Sequence, residues 1–130
     1  MTSRRAGWPS WRRCASSRAR AKRSFPKSMC PAARRAYATA LERSPHNLLA
    51  RIGLGNTAYA MRDLTAAQAA YRQATRDHPQ AADAWNNLAQ TSLELGRKSE
   101  AMLAAQRAVE LGGPRLSHYR ATAKVIVESR

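Results

Sequence analysis

Ala33-Arg34-Arg35-Ala36-Tyr37-Ala38-Thr39-Ala40, Ala67-Gln68-Ala69-Ala70-Tyr71-Arg72-Gln73-Ala74 and Ala101-Met102-Leu103-Ala104-Ala105-Gln106-Arg107-Ala108 are one pattern written three times at a spacing of 34 residues. Alanine opens and closes each copy, and the fifth place holds Tyr37, Tyr71 and Ala105. Pro45 and Pro79 keep the same spacing, as do Leu54 and Leu88. Independent pairs at one spacing mark an internal repeat, and this one runs from about residue 32 to the C-terminus. A period in this range belongs to chains built by stacking one small supersecondary unit on the next.

The unit is a helical hairpin. Arg43-Ser44-Pro45-His46-Asn47, Asp77-His78-Pro79-Gln80 and Gly112-Gly113-Pro114 are breakers that precede fresh apolar-periodic segments. Helices are expected over 32–43, 48–61, 65–76, 82–95, 99–111 and 116–130. The links at Arg62-Asp63-Leu64 and Gly96-Arg97-Lys98 are short, so each helix turns back on its predecessor. Gly96 supplies a left-handed residue that ends a helix, and Ser99 is the expected cap of the next. Small residues recur where two helix backbones would meet, Gly55 with Ala67 and Ala89 with Ala101. In the last segment Tyr119, Ala123 and Ile126 fall on one face, with Arg120, Lys124, Glu128 and Arg130 over the rest.

Composition agrees. From residue 32 onward 23 of 99 residues are alanine, and the whole chain has five valines and isoleucines. Alanine is the best helix former and a poor strand former, so sandwiches and parallel sheets are excluded. No window holds 18 uncharged apolar residues, so no membrane-spanning helix is expected. The formal charge of +15 is uneven: residues 1–35 carry eleven Lys/Arg and no acid, whereas residues 36–130 carry twelve bases and eight acids. The repeat region is thus an ordinary surface, and the high pI belongs to the first quarter of the chain.

These residues resemble the tetratricopeptide repeat, a 34-residue pair of antiparallel helices with the signature Trp-x-x-Leu-Gly-x-x-Tyr, Ala-x-x-x-Phe and Pro. Residues 48–81 carry Leu54-Gly55, Tyr59 one place late, Ala67-x-x-x-Tyr71, Ala74 and Pro79, with Arg51 in the tryptophan place. Residues 82–115 carry Trp85-x-x-Leu88-Ala89, Gly96, Ala101-x-x-x-Ala105 and Ala108, with Pro114 one place late. Ahead of them stands half a repeat, 32–47, with Ala33, Tyr37, Ala40 and Pro45. The expected architecture is all-α: a right-handed superhelical stack of about 2.5 repeats, an α-solenoid, closed by a capping helix at 116–130, behind a disordered basic arm at 1–31. A half repeat leaves helix 32–43 with an uncovered face, which invites self-association. A weaker resemblance links Gly53-Leu54-Gly55-Asn56, residues 82–90 and Leu111-Gly112-Gly113-Pro114-Arg115-Leu116 to the C-terminal repeat tails of bacterial papain-like cysteine peptidases. On that likeness the chain is a tail fragment of a larger protein.

The resemblance implies a concave groove lined by the first helix of each repeat. By analogy its residues are Leu49, Ile52, Asn56 and Tyr59, then Asp83, Asn86, Asn87, Gln90 and Glu94, then Ser117, Arg120 and Lys124. The two-carboxylate clamp of chaperone-binding repeats, which holds acidic C-terminal peptides, is matched only by half. Its asparagine places fit Asn56 and Asn87, but its basic places fall on Ile52, Ser117 and Ala121. Arg120 and Lys124 point elsewhere by about one helix step, roughly 100°. A clamp without cations leaves a carboxylate underpaired.

No catalytic constellation is legible. His46 and His78 sit in turns, His118 opens the last helix, and no nucleophile-elbow, His-Glu-x-x-His or phosphate-loop motif occurs. Cys14 and Cys30, sixteen apart with no nearby histidine, are not a zinc site. The expectation is no enzyme, no metal and no cofactor, with a protein or peptide partner. The arm keeps several readings open. Trp8, Trp11 and Phe25 among arginines suit phosphate contact and base stacking, making nucleic-acid binding the rival function. The same text suits a transit segment, a solvated tail or an untranslated stretch read in the wrong frame. It lacks the apolar stretch of a secretory signal, which favours the cytoplasm.

Overall fold

The computed structural model describes residues 29–129. The readings placed on Trp8, Trp11, Cys14 and Phe25 lie outside the described residues. Among the described residues there are six helices and no strand: α1 (Met29–Arg43), α2 (Leu48–Ala60), α3 (Leu64–Asp77), α4 (Ala82–Glu94), α5 (Lys98–Leu111) and α6 (Leu116–Glu128). None is long and apolar enough to cross a membrane. The chain divides into two compact units, Met1–Ala67 and Gln68–Arg130.

Several helix boundaries differ from the sequence expectation by one to three residues, and two of them have a clear physical reason. α1 starts at Met29 and takes Pro31 into its first turn. Proline is tolerated there, because a first-turn N–H has no partner within the helix to lose. Ser99 is the second residue of α5 and not its cap; Arg97 holds the N-cap position. The reason is upstream: the Arg97 N–H is already bonded to Ser92 O at 2.9 Å, and Ala101 N–H reaches Arg97 O at 3.0 Å, so the ladder opens two residues early.

The 34-residue register is visible bond by bond. Asp63 N–H donates to Ala58 O and Arg97 N–H to Ser92 O, both at 2.9 Å. Arg62 N–H donates to Tyr59 O and Gly96 N–H to Leu93 O. This closure demands a left-handed residue, and Gly96 sits at φ 81 while Arg62 sits at φ 65. Glycine adopts that backbone freely, but arginine does so at a cost of about 1 kcal/mol. The tryptophan place shows how a departure is absorbed. Trp85 Nε1 donates to Pro79 O at 2.8 Å, and Arg51 Nη2 donates to the equivalent Pro45 O at 3.0 Å. Either side chain carries an N–H long enough to tie a helix's second turn to the preceding breaker.

In the first unit α1 packs on α2 through alanines and one aromatic. Ala33, Leu41, Ala50 and Ala58 are buried. Gly53, on α2, lets the Tyr37 ring lie against the helix backbone: a Cβ there would fall 2.5 Å from Tyr37 Cε1 and Cζ. Asn47 Oδ1 caps α2 by accepting from Ala50 N–H at 3.0 Å, and Asp63 Oδ1 accepts from Ala66 N–H at 3.2 Å at the start of α3. Arg34 pairs with Asp63 at 3.1 Å. Both partners are more than a third exposed, so the pair contributes at most about 1 kcal/mol.

The second unit is built on small side chains. Ala84, Ala89, Ala101, Ala104, Ala105 and Ala108 are buried with Leu88 and Ile126, where α4 and α5 meet and α6 closes on both. Alanine buries little area per residue, so this core relies on close backbone approach. Two polar side chains are tied together within it: Gln68 Nε2 donates to Ser92 Oγ at 3.1 Å, and Arg97 Nη1 donates to Gln68 Oε1 at 3.0 Å.

Among the described residues the exposed large apolar side chains are Leu49, Met102, Leu103, Val125 and Val127. None lies on α1, where an open apolar face was expected. That helix turns Ala33 and Leu41 inward, sets Tyr37 on Gly53, and exposes arginines with alanine and threonine.

Candidate functional site

The helix α4 and the helix α6 are repeat-equivalent first helices within the second unit. On α4, Asp83, Asn87, Gln90 and Glu94 recur at spacings of four, three and four, which places them on one face. Asp83, Asn87 and Gln90 are half-buried and Glu94 is exposed. Beside them α6 presents Ser117, Arg120, Ala121 and Lys124, all exposed.

Cross-links between the two helices organise this face. Tyr119 Oη donates to Asp83 Oδ1 at 2.6 Å, and Arg115 Nη1 donates to Asp83 Oδ2 at 3.1 Å. Both oxygens of the carboxylate are therefore engaged. Gln90 Nε2 reaches Thr122 Oγ1 at 3.4 Å, and Thr122 Oγ1 in turn donates to His118 O at 3.2 Å. Burial of the Tyr119 ring and the Asp83 acceptor beside its hydroxyl push the phenol up to about 12. Tyr119 therefore stays a neutral donor across the physiological range.

The structure separates residues that the sequence pattern treated alike. Ile52, Asn86 and Arg120 occupy one repeat position, and they are half-buried, 2% exposed and exposed respectively. Asn86 is thus interior to the second unit, and its Oδ1 is buried without a described partner. Ile52, Asn56 and Tyr59 are half-buried on α2 in the first unit. Tyr59 shares its repeat position with Leu93 and Val127, and Val127 lines a groove between α5 and α6 rather than the α4–α6 face. Leu49 is strongly exposed.

Sequence reasoning missed the parts played by Arg115, Tyr119 and Thr122. A signal for Tyr119 was present: it stands 34 residues after Trp85, in the tryptophan place of a third repeat. Its partner Asp83 is 36 residues away, outside any local pattern. Among the described residues no group of three or more His, Cys, Asp or Glu could hold a metal ion.

Residues 52–115 match the tetratricopeptide repeat family. No curated protein sequence matches the chain. Among solved structures the chain is similar to the TPR2B domain of yeast Sti1 in its pHsp70 complex, with a TM-score of 0.75 at 17% identity over 91% of this chain and 98% of that one. It is similar to the type III secretion translocator chaperone SycD of Yersinia enterocolitica, with a TM-score of 0.70 at 15% identity over 91% and 81% of the two chains. The first TPR of Spaghetti (RPAP3) bound to the HSP90 peptide SRMEEVD gives a TM-score of 0.66 at 12% identity over 90% and 95%. Identities this low speak for the fold alone.

Proposed function

Because this chain carries tetratricopeptide repeats, we propose that it is a non-catalytic protein–protein interaction module that holds an extended peptide or partner helix along the α4–α6 face. The observation that carries this reading is the pinned carboxylate of Asp83. With Tyr119 and Arg115 holding it, α4 and α6 keep a fixed spacing, and the side chains between them are pre-positioned. Pre-positioning lowers the ordering cost of binding. Two of the structures similar to this chain are complexes with pHsp70 and with the HSP90 peptide SRMEEVD, which favours a peptide as the guest.

The chemistry of the face shapes the guest. α4 offers the amides of Asn87 and Gln90 with the carboxylate of Glu94, and α6 offers Arg120 and Lys124. Amides bond an extended main chain in either direction, because each has both donors and an acceptor. Opposite charges on the two helices suit a guest of mixed charge rather than an acidic tail. Ser117 and Ala121, neutral where a carboxylate clamp needs cations, point the same way.

A peptide array probed with the full chain and with an Asn87→Ala/Arg120→Glu double variant tests the reading. Capture of mixed-charge peptides, weakened at least about tenfold in the variant, is the expected result. Capture that ignores both substitutions would place binding elsewhere, and preferential capture of SRMEEVD would restore the clamp.

A further inference from the structure

The first helices of the repeats are not attached alike. α2 and α4 are each tied to their own breaker by a side chain: Arg51 Nη2 donates to Pro45 O at 3.0 Å, and Trp85 Nε1 donates to Pro79 O at 2.8 Å. Tyr119 holds the same place on α6, 34 residues after Trp85, but its hydroxyl donates to Asp83 of α4. The proline place in the link before α6 is Gly113. Gly112 and Gly113 lie at φ 68 and 102, whereas the links before α2 and α4 contain no positive φ among the described residues. Glycine takes either sign of φ at no steric cost, so this link turns easily. A Cβ at Gly113 would meet no atom within 4 Å, so nothing is packed against that residue to hold it.

Much of what holds α6 down is polar and lies away from the link. Asp83 accepts from Tyr119 and from Arg115, Gln90 Nε2 donates to Thr122 Oγ1 at 3.4 Å, and Lys98 Nζ donates to Ser129 O at 2.6 Å. The Arg115–Asp83 pair is more than a third exposed on both sides, so water competes with it. The buried residues of α6 are Tyr119, Thr122 and Ile126, half as many as the six on α4. A segment with few buried apolar contacts and solvent-facing bonds opens before the rest of its unit does.

We propose that α6 is a hinged flap, which leaves α4 and α5 as one unit by turning at Gly112–Gly113 while those two helices stay packed, and that the cluster of Asp83, Tyr119 and Arg115 is its latch. A helix of 13 residues is marginal by itself, so α6 unravels once it has left. With the flap closed, the α4–α6 face is complete. With it open, Asp83 is released and the α6 side of the face is gone. A guest that spans both helices therefore binds the closed form and draws the equilibrium towards it. That consequence rests on the peptide reading of the face, whereas the opening does not.

Native-state hydrogen exchange of the full chain in rising urea, followed amide by amide, tests the flap. Amides 119–126 should share one opening. It should be at least about tenfold more frequent than the opening of α4 and α5, with a shallower urea dependence because less surface is exposed. Two glycine variants identify the hinge. Gly113→Ala strains the closed link alone and should speed α6 exchange at least about fivefold. Gly96→Ala, in the α4–α5 turn, burdens the closed and open forms equally. It should speed exchange in α4 and α5 and leave that of α6 unchanged. The flap is overturned if all three helices share one opening and respond equally to both variants, because α6 then leaves only when the whole unit unfolds. It is overturned too if Gly113→Ala has no effect on α6, or if protection falls steadily along α6 towards Glu128, the pattern of a fraying end. A mixed-charge peptide captured by the array should slow α6 exchange; if the array captures none, the guest is lost and the exchange pattern still decides the flap.

Discussion

Gly53→Ala is the sharpest probe of how α1 meets α2. The new Cβ would stand 2.5 Å from Tyr37 Cε1 and Cζ and 2.9 Å from Cδ1. Carbon atoms in contact sit about 3.5–4.0 Å apart, so the ring must retreat by about 1 Å. Three ring atoms are struck at once, and the ring therefore moves as a body. Overpacking of this kind costs about 1–3 kcal/mol. Against it stands the helix preference of alanine over glycine, worth about 1 kcal/mol at an interior position. The sum is a loss of up to about 2 kcal/mol. Replacing the ring separates the two effects: in a Tyr37→Ala background the clash vanishes, and Gly53→Ala should stabilise by up to about 1 kcal/mol. Urea unfolding followed by circular dichroism, with amide hydrogen exchange along α2 as the local reporter, gives the four corners of the cycle. A Gly53→Ala effect of the same sign and size in both backgrounds would refute the contact.

The closure residues give a paired prediction. Gly96→Ala meets no atom within 4 Å, so its cost is that of the backbone alone, about 1 kcal/mol. Arg62→Gly at the equivalent position should be neutral or stabilising; a clear loss in chemical denaturation would mean that the Arg62 side chain contributes more than its backbone costs. Ala101→Leu enters the fully buried α4–α5 contact and should destabilise by about 1–3 kcal/mol, which an unchanged melting temperature would contradict. Tyr119→Phe removes the donor to Asp83 and should cost about 1 kcal/mol at neutral pH. Its pH dependence has a definite sign. The folded phenol titrates near 12, above the ordinary 10, so its stabilisation is whole below pH 10 and drains away as pH rises towards 12. The gap between wild-type and Tyr119→Phe melting temperatures should therefore shrink over that window, and a constant gap would count against the bond.

The helices and their order were legible because their causes are local. Alanine-rich periodic segments, breakers at Pro45, Pro79 and Pro114, and a left-handed Gly96 act within a few residues of where they stand. Boundaries slipped where the cause was a bond from outside the segment, as when Ser92 O captured Arg97 N–H and moved the start of α5 ahead of Ser99. The α4 row was legible too, since Asp83, Asn87, Gln90 and Glu94 follow helical spacing. Its state was not: nothing near Asp83 in the chain announces that Tyr119 and Arg115 will occupy both of its oxygens.

By itself the sequence determined an all-α chain with a 34-residue period, because repeated spacing and turn chemistry do not depend on what lies across a gap. Tertiary structure alone decided the fate of equivalent positions. Ile52, Asn86 and Arg120 share one place in the repeat, yet one is half-buried, one interior and one in solvent. The row at Gln68 and Arg72 lies under α5, while its copy at Met102 and Gln106 is open. Burial belongs to a position only after its neighbours have packed, and a period in the chain specifies the position without specifying the neighbours.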